Sequence, residues 1–312
     1  AAAVHERDSV RWVNGMIGMH FTAPQDGDPV GDCDWIRLWD CGVTWKDIHT
    51  APDNYNWARL DMLMDKYAGK KIVYVIAATP QWAASDPNAP HSAPWLGAGS
   101  NSLPGDLDAS WKPFVANLSQ RYKGRINAYE IWNEPQLADF LYPWDSHNRN
   151  LLAQMTKDAI RIIQGNDESA LCGSASVLPR DSSGGMKKAK KYLEALQKKD
   201  SKRWCGINFV ATHIYPEPGK GAKRWNAMLG EVQDTLKEMG SPTKKIWITE
   251  TLYGLLGDPI ATDEKAAQLV NDTYEYAGGK FVFWYAWNRP DLNAGFLIDH
   301  GTATWNAIKE HG

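Results

Sequence analysis

The chain has 312 residues, with 34 Lys+Arg against 37 Asp+Glu and a formal net charge of −3 at pH 7. Its 43% hydrophobic and 23% charged residues exclude general disorder. The near-neutral balance excludes a field that would gather nucleic acid or an anionic membrane. No run of 18 or more apolar residues marks a membrane span.

Eight short runs rich in β-branched and aromatic residues follow in chain order: 16–22, 35–39, 72–78, 127–132, 171–177, 207–214, 246–250 and 281–287. Near-continuous apolar runs of this length suit parallel strands buried on both faces. Amphipathic helical stripes lie between most of them. Asp108 caps the stripe Trp111, Val115, Leu118 and Tyr122, with Gly124 at its exit. Leu152, Met155, Ala159, Ile162 and Ile163 form a second stripe, and Met186, Ala189, Tyr192, Leu193 and Leu196 a third. Trp225, Met228, Leu229, Val232 and Leu236, closed by Gly240, form a fourth. Eight strands alternating with helices in a chain of this length predict a single (β/α)8 TIM barrel over residues 1–312. About a dozen residues rich in Gly, Asp and Pro separate the first two strands, so the first helix is expected to be shortened or missing.

Four cysteines, Cys33, Cys41, Cys172 and Cys205, show no CxxC spacing, which argues against zinc or an iron–sulfur cluster. They leave two readings: disulfides 33–41 and 172–205, or four buried free thiols. The opening AAAVHERDS lacks an initiator Met and fits a mature secreted protein after signal-peptide removal, or a trimmed chain. Asn117 and Asn271 head glycosylation sequons, which are common by chance.

In such a barrel the reacting groups sit at the C-terminal strand ends. The fourth strand ends in Tyr129-Glu130-Ile131-Trp132-Asn133-Glu134-Pro135, and the seventh in Ile246-Trp247-Ile248-Thr249-Glu250. Glu134 and Glu250 therefore face one mouth from opposing sides. Glycosidic cleavage needs two such carboxyls, one protonated to assist the leaving oxygen and one ionised to meet the oxocarbenium carbon. Repulsion between them helps to separate their pKa values. Asn133 can bond a sugar 2-hydroxyl. Glu130 is assigned as an interior partner for an Arg or Lys.

With IWNEP (131–135) and ITE (248–250), the chain resembles a clan A glycoside hydrolase, the retaining (β/α)8 group, and its family 39 branch more than families 5 or 30. IRLWD (36–40), TPQWA (79–83), HIYP (213–216) and FVFWYAW (281–287) support the resemblance. It implies Glu134 as general acid/base and Glu250 as nucleophile. It also places Arg37 beneath the nucleophile, in accord with the need of a buried Arg for carboxylate partners. The length leaves no room for the β-sandwich domain of xylosidase-like and iduronidase-like members, which puts those substrates in doubt.

The remaining candidates are substrate-facing residues. His213 and Tyr215 share one face of the sixth strand. Tyr215 is expected to donate to the nucleophile, and His213 to order the acid/base or touch sugar. His20, near the end of the first strand, is assigned to substrate contact. Trp287 is expected as the platform beneath the cleaved sugar, and Trp284 as barrel-to-helix packing. The 16 tryptophans fit either a Trp-rich core or sugar-stacking platforms. Trp82, Trp95, Tyr142, Trp144 and Tyr253 fall in loops around the mouth, where aromatics suit sugar subsites.

No His-x-His, His-Glu-x-x-His, Gly-x-Ser-x-Gly, P-loop or dinucleotide fingerprint is present. No metal or organic cofactor is therefore expected. A carbohydrate is the expected partner of a monomeric, extracellular enzyme. Aromatics spread over several loops predict an open groove that cuts within a polysaccharide. The alternatives are an exo-acting glycosidase, closed on one side by the loop bearing Trp82 and Trp95, and a non-catalytic carbohydrate-binding barrel.

Overall fold

The computed structural model describes residues 17–22, 33–90, 95–180, 184–199, 204–217, 219–253, 260, 262–287, 298–299 and 301–311. Eight parallel strands close a barrel: β1 (Ile17–His20), β2 (Trp35–Leu38), β3 (Lys71–Ile76), β4 (Ala128–Ile131), β5 (Leu171–Gly173), β6 (Phe209–Ile214), β7 (Lys245–Thr251) and β8 (Val282–Tyr285). Each pairs with its neighbours in sequence, and β1 closes the ring on β8. The fold is therefore the (β/α)8 barrel expected from the eight apolar runs. The segment that would hold the first helix, 23–32, lies outside the described residues.

The described helices are α1 (Trp45–Ile48), α2 (Ala58–Lys66), α3 (Lys112–Arg121), α4 (Ser146–Asn166), α5 (Gly185–Lys199), α6 (Gly221–Glu238), α7 (Asp263–Ala277) and α8 (Ala303–Lys309). A small antiparallel hairpin, 49–51 with 54–55, sits between α1 and α2. The predicted stripes are the buried faces of α3, α4, α5 and α6. The cap ahead of α3 is Asp106 and not Asp108: its carboxylate accepts from the backbone N–H groups of Asp108 and Ala109. A π-helical turn, Leu107–Trp111, inserts between that cap and α3 and moves the true start two residues upstream. Among the described residues, no helix is long and apolar enough to cross a membrane.

The barrel interior is layered. Its floor is an aromatic cluster of Trp35, Val73, Ala128, Phe209, Ala211, Trp247, Phe281 and Phe283. Phe209 stacks on Trp247 with centroids 4.0 Å apart. Gly18 and Gly173 make room for these rings: a Cβ at Gly173 would lie 2.2 Å from Phe209, and one at Gly18 would lie 2.3 Å from Phe283. Two residues further along five of the strands the character reverses. Gly18, Trp35, Ala128, Ala211 and Phe283 give way to His20, Arg37, Glu130, His213 and Tyr285. Alternation holds both sets on the inner face, so a polar layer sits on an aromatic floor.

Cys33, Cys41 and Cys172 are buried free thiols. That overturns the disulfides 33–41 and 172–205. Each sulfur is packed as a small apolar group, and burial pushes the Cys41 thiol up to about 12. The side chain of Cys205 lies outside the described residues.

Candidate active site

The polar layer is organised by Arg37, fully buried on β2. Its guanidinium holds Glu130 by two contacts, Nε to Oε2 at 3.3 Å and NH2 to Oε1 at 2.9 Å. NH1 donates to Glu250 Oε1, and NH2 donates to Asn133 Oδ1 at 3.1 Å. Burial alone would lower the Arg37 pKa, but Glu130 and Glu250 outweigh it and hold the value above the ordinary one. One buried cation thus serves two buried carboxylates, an arrangement that survives only when hydrogen bonds satisfy every partner.

Glu250 reaches this layer through an irregularity. Strict alternation from Trp247 on the floor would turn a residue three positions later outward. Between Thr212 and His213 of β6 the register on β7 jumps from Ile248 to Glu250, and β8 shows the same extra residue on β7. Thr249 is therefore a β-bulge residue that re-aims Glu250 inward. Tyr215 then donates to Glu250 Oε2 at 2.5 Å.

Glu134 lies just past the end of β4, where Trp132 and Glu134 have positive φ values of 85° and 36°. Such conformations are costly for side-chain-bearing residues and cluster at functional sites. Here they are held by surrounding bonds. The Trp132 indole N–H donates to the Phe140 carbonyl at 2.8 Å, and the Glu134 backbone N–H to Ser176 Oγ at 3.1 Å. The turn lets Asn133 bond Arg37 while Glu134 meets His213, its Oε1 lying 2.6 Å from Nδ1.

The histidine tautomers follow from their partners. His213 Nε2 sits 3.4 Å from Arg37 NH2, which can only donate. Nε2 is therefore the acceptor, and Nδ1 carries the proton toward Glu134, with Glu250 Oε2 3.4 Å away. Burial lowers the His213 pKa to about 4, against the pull of Glu250, so the ring is neutral. Burial also raises Glu134 to about 7, with Glu130 adding to the rise and Arg37 and Arg180 opposing it. A carboxyl that keeps its proton to neutral pH, facing a carboxylate paired with Arg37, is the division of labour that glycosidic cleavage needs.

Ligand atoms of Glu134, His213 and Glu250 all lie within 4.8 Å of one another, close enough to hold a metal ion. Arg37 already supplies Glu250 with a cation, however, and His213 turns a protonated nitrogen to Glu134. The trio is arranged for proton exchange, with no lone pair aimed at a second cation from the imidazole.

The other sequence candidates separate into two groups. His20 is fully buried, with Nδ1 3.3 Å from Arg37 NH1 and Nε2 2.6 Å from Asp40 Oδ1. Both ring nitrogens are thus engaged by protein. Asp40 and Tyr285, whose hydroxyl donates to Asp40 Oδ2 at 2.8 Å, were not among the candidates. A polar residue directly after IRLW and a Tyr two residues beyond Phe283 were their only signals. Trp287 is 7% exposed and packs edge-on to Trp305 at 5.1 Å. Trp284 is buried and donates to the Tyr274 hydroxyl of α7 at 3.0 Å. Tyr253 is buried against Thr273, away from the loops' outer surface. Trp95 and Tyr142 are exposed, at 47% and 42%. Trp82 is half-buried, fixed by its N–H to the His49 carbonyl at 2.8 Å. It lines a groove of about 400 Å³ with Lys46, Gln81 and Leu96. Trp144 is half-buried beneath the Arg149 guanidinium, 5.4 Å away.

An acid and a carboxylate facing each other at the C-terminal mouth of a closed parallel barrel define the class, a (β/α)8 barrel of glycosidase type. Comparison with known proteins agrees. The chain belongs to the glycosyl hydrolase catalytic core family, whose model matches residues 109–304. No curated protein matches the sequence. Among solved structures, a GH39 β-xylosidase from Caulobacter crescentus aligns with a TM-score of 0.70 at 17% identity, over 96% of this chain and 70% of its own. A glucosidase from Croceicoccus marinus gives 0.65 at 16%, over 95% and 67%. A xylanase from Paenibacillus barcinonensis gives 0.64 at 15%, over 95% of both chains. At these identities the likeness is one of fold. The family match and these barrels accord with the clan A resemblance carried by IWNEP and ITE.

Proposed function

We propose that this protein is a retaining glycoside hydrolase that cuts β-linked polysaccharide internally, with Glu134 as acid/base and Glu250 as nucleophile. The observation that carries the reading is the pair itself. One carboxylate oxygen of each residue lies within 4.8 Å of the other, which supports the short spacing of double displacement (about 5–5.5 Å between carboxyls) over the spacing of about 6.5–9.5 Å that admits a water. In the first step Glu250 attacks the anomeric carbon while Glu134 gives its proton to the departing oxygen. In the second, Glu134 takes a proton from water, which displaces Glu250 from the sugar. Arg37 and Tyr215 hold the ionised nucleophile, and His213 holds Glu134 by its Nδ1–H. The Asn133 carboxamide oxygen is taken by Arg37, so a bond to a sugar hydroxyl runs from its NH2.

Internal cutting is supported by the exposed Trp95 and Tyr142 and by the groove at Trp82, which suit several stacked sugars. The xylosidases and xylanases among the structural neighbours make xylan the first substrate to try. The test is a panel of xylan, mixed-linkage glucan and mannan with products sized over time. A ladder of intermediate oligosaccharides at early times is expected, abolished in Glu134→Gln and Glu250→Gln. Release of one mono- or disaccharide from the first minutes would overturn internal cutting, and full activity in either variant would overturn the assignment.

A further inference from the structure

Arg37 donates NH1 to two groups, Glu250 and His20 Nδ1. The second contact exists only if His20 Nδ1 carries no proton, because two N–H groups cannot face each other. The tautomer of a histidine is set by the bond its other nitrogen makes. Here that partner is Asp40, whose Oδ1 lies 2.6 Å from Nε2. Asp40 is fixed in turn by the Tyr285 hydroxyl at 2.8 Å, and the Tyr285 ring meets His20 edge-on at 4.7 Å. Burial would raise the Asp40 pKa, but His20, Tyr285 and Arg37 outweigh it and hold the carboxyl below its ordinary range. It remains an acceptor at neutral pH.

We infer that Asp40, His20 and Tyr285 form a positioning chain that fixes the orientation of Arg37 and thereby holds the proposed nucleophile Glu250 in place. Asp40 locks the Nε2–H tautomer of His20. The bare Nδ1 then accepts one NH1 hydrogen of Arg37, leaving the other directed at Glu250. Without Asp40, the Nδ1–H tautomer becomes accessible, presents a donor to a donor, and pushes the guanidinium off Glu250. His20 in this account acts through Arg37 and does not touch substrate. Among the described residues, the groups facing Glu250 from the surrounding elements are Arg37 from β2, His213 and Tyr215 from β6, and Glu134 beyond β4. None of them duplicates the His20 contact.

The role rests on the retaining reading above, but one readout is independent of it. In protein labelled with ¹⁵N-histidine, two-bond ¹H–¹⁵N spectra, with His20 assigned through His20→Gln, should show the Nε2–H tautomer at pH 6–8. Asp40→Leu should shift it toward Nδ1–H, and Asp40→Asn, which keeps an acceptor oxygen, should preserve it. A wild-type His20 that is Nδ1–H or doubly protonated overturns the proposal whatever the substrate. With 4-nitrophenyl β-xylobioside, Asp40→Leu should lose about 10–100-fold in kcat/KM, the scale of outer-shell losses. Its acidic limb should move to higher pH, and Asp40→Asn should recover most of the loss. Equal losses in both variants, or a change in KM alone with an unmoved acidic limb, also overturn it. Undiminished activity in Glu250→Ala would instead defeat the parent reading.

Discussion

Glu134 should destabilise the protein it serves, and Glu134→Gln measures by how much. Burial lifts its carboxyl from the ordinary 4.5 to about 7. Between those values the folded protein holds a proton that the unfolded chain has released. The associated stability is fully present below the unfolded value and is lost as pH rises through the folded one. At about 1.36 kcal/mol per pH unit the loss comes to about 3 kcal/mol at pH 8. Only 9% of Glu134 is exposed, so solvent screens little of it. An unfolding entropy of about 2.1 cal/mol/K per residue, about 0.65 kcal/mol/K here, turns this into about 5 °C. Gln keeps an oxygen for the His213 Nδ1–H and has no charge to bury. Calorimetry should therefore find the Gln variant about 5 °C more stable relative to wild type at pH 8 than at pH 4. An unchanged difference between the two pH values, or a variant relatively weaker at pH 8, would refute the assigned burial of this carboxyl.

Further outcomes follow from the same network. The kcat/KM of the wild type should fall above about pH 7 as Glu134 loses its proton, and a 2,4-dinitrophenyl leaving group, which needs no acid, should flatten that limb. Arg37→Met strands Glu130 and Glu250 without a counter-charge. Urea titration should show a loss of about 3–5 kcal/mol at pH 7. A thiol reagent without reductant should react slowly with the native protein and count at least three thiols in guanidinium, since Cys33, Cys41 and Cys172 are free and buried.

The barrel was recoverable from sequence because parallel strands covered on both faces are written as continuous apolar runs, and each of the eight falls on a barrel strand. The carboxyl pair was recoverable because Asn133-Glu134-Pro135 and Glu250 stand at strand ends. What escaped depends on geometry that no residue type encodes. The bulge at Thr249, by which Glu250 takes the inward aim that its strand-end position predicts, has no residue signature. The engagement of His20 depends on Asp40 and Tyr285, 20 and 265 positions away in sequence and joined only by closure of the ring. Cys33 and Cys41 are near in sequence, yet both are spent as apolar packing, and proximity alone suggested a bridge. The same closure leaves Trp287 7% exposed and edge-on to Trp305, a packing that its strand-end position does not encode.

The most direct test of the central claim is the configuration of the first product. An aryl β-xylobioside hydrolysed in D₂O should release, in the earliest ¹H NMR spectra, the β-anomer of the reducing sugar, with the α-anomer growing in only by mutarotation. Initial release of the α-anomer would contradict a nucleophilic Glu250 and the double displacement built on it.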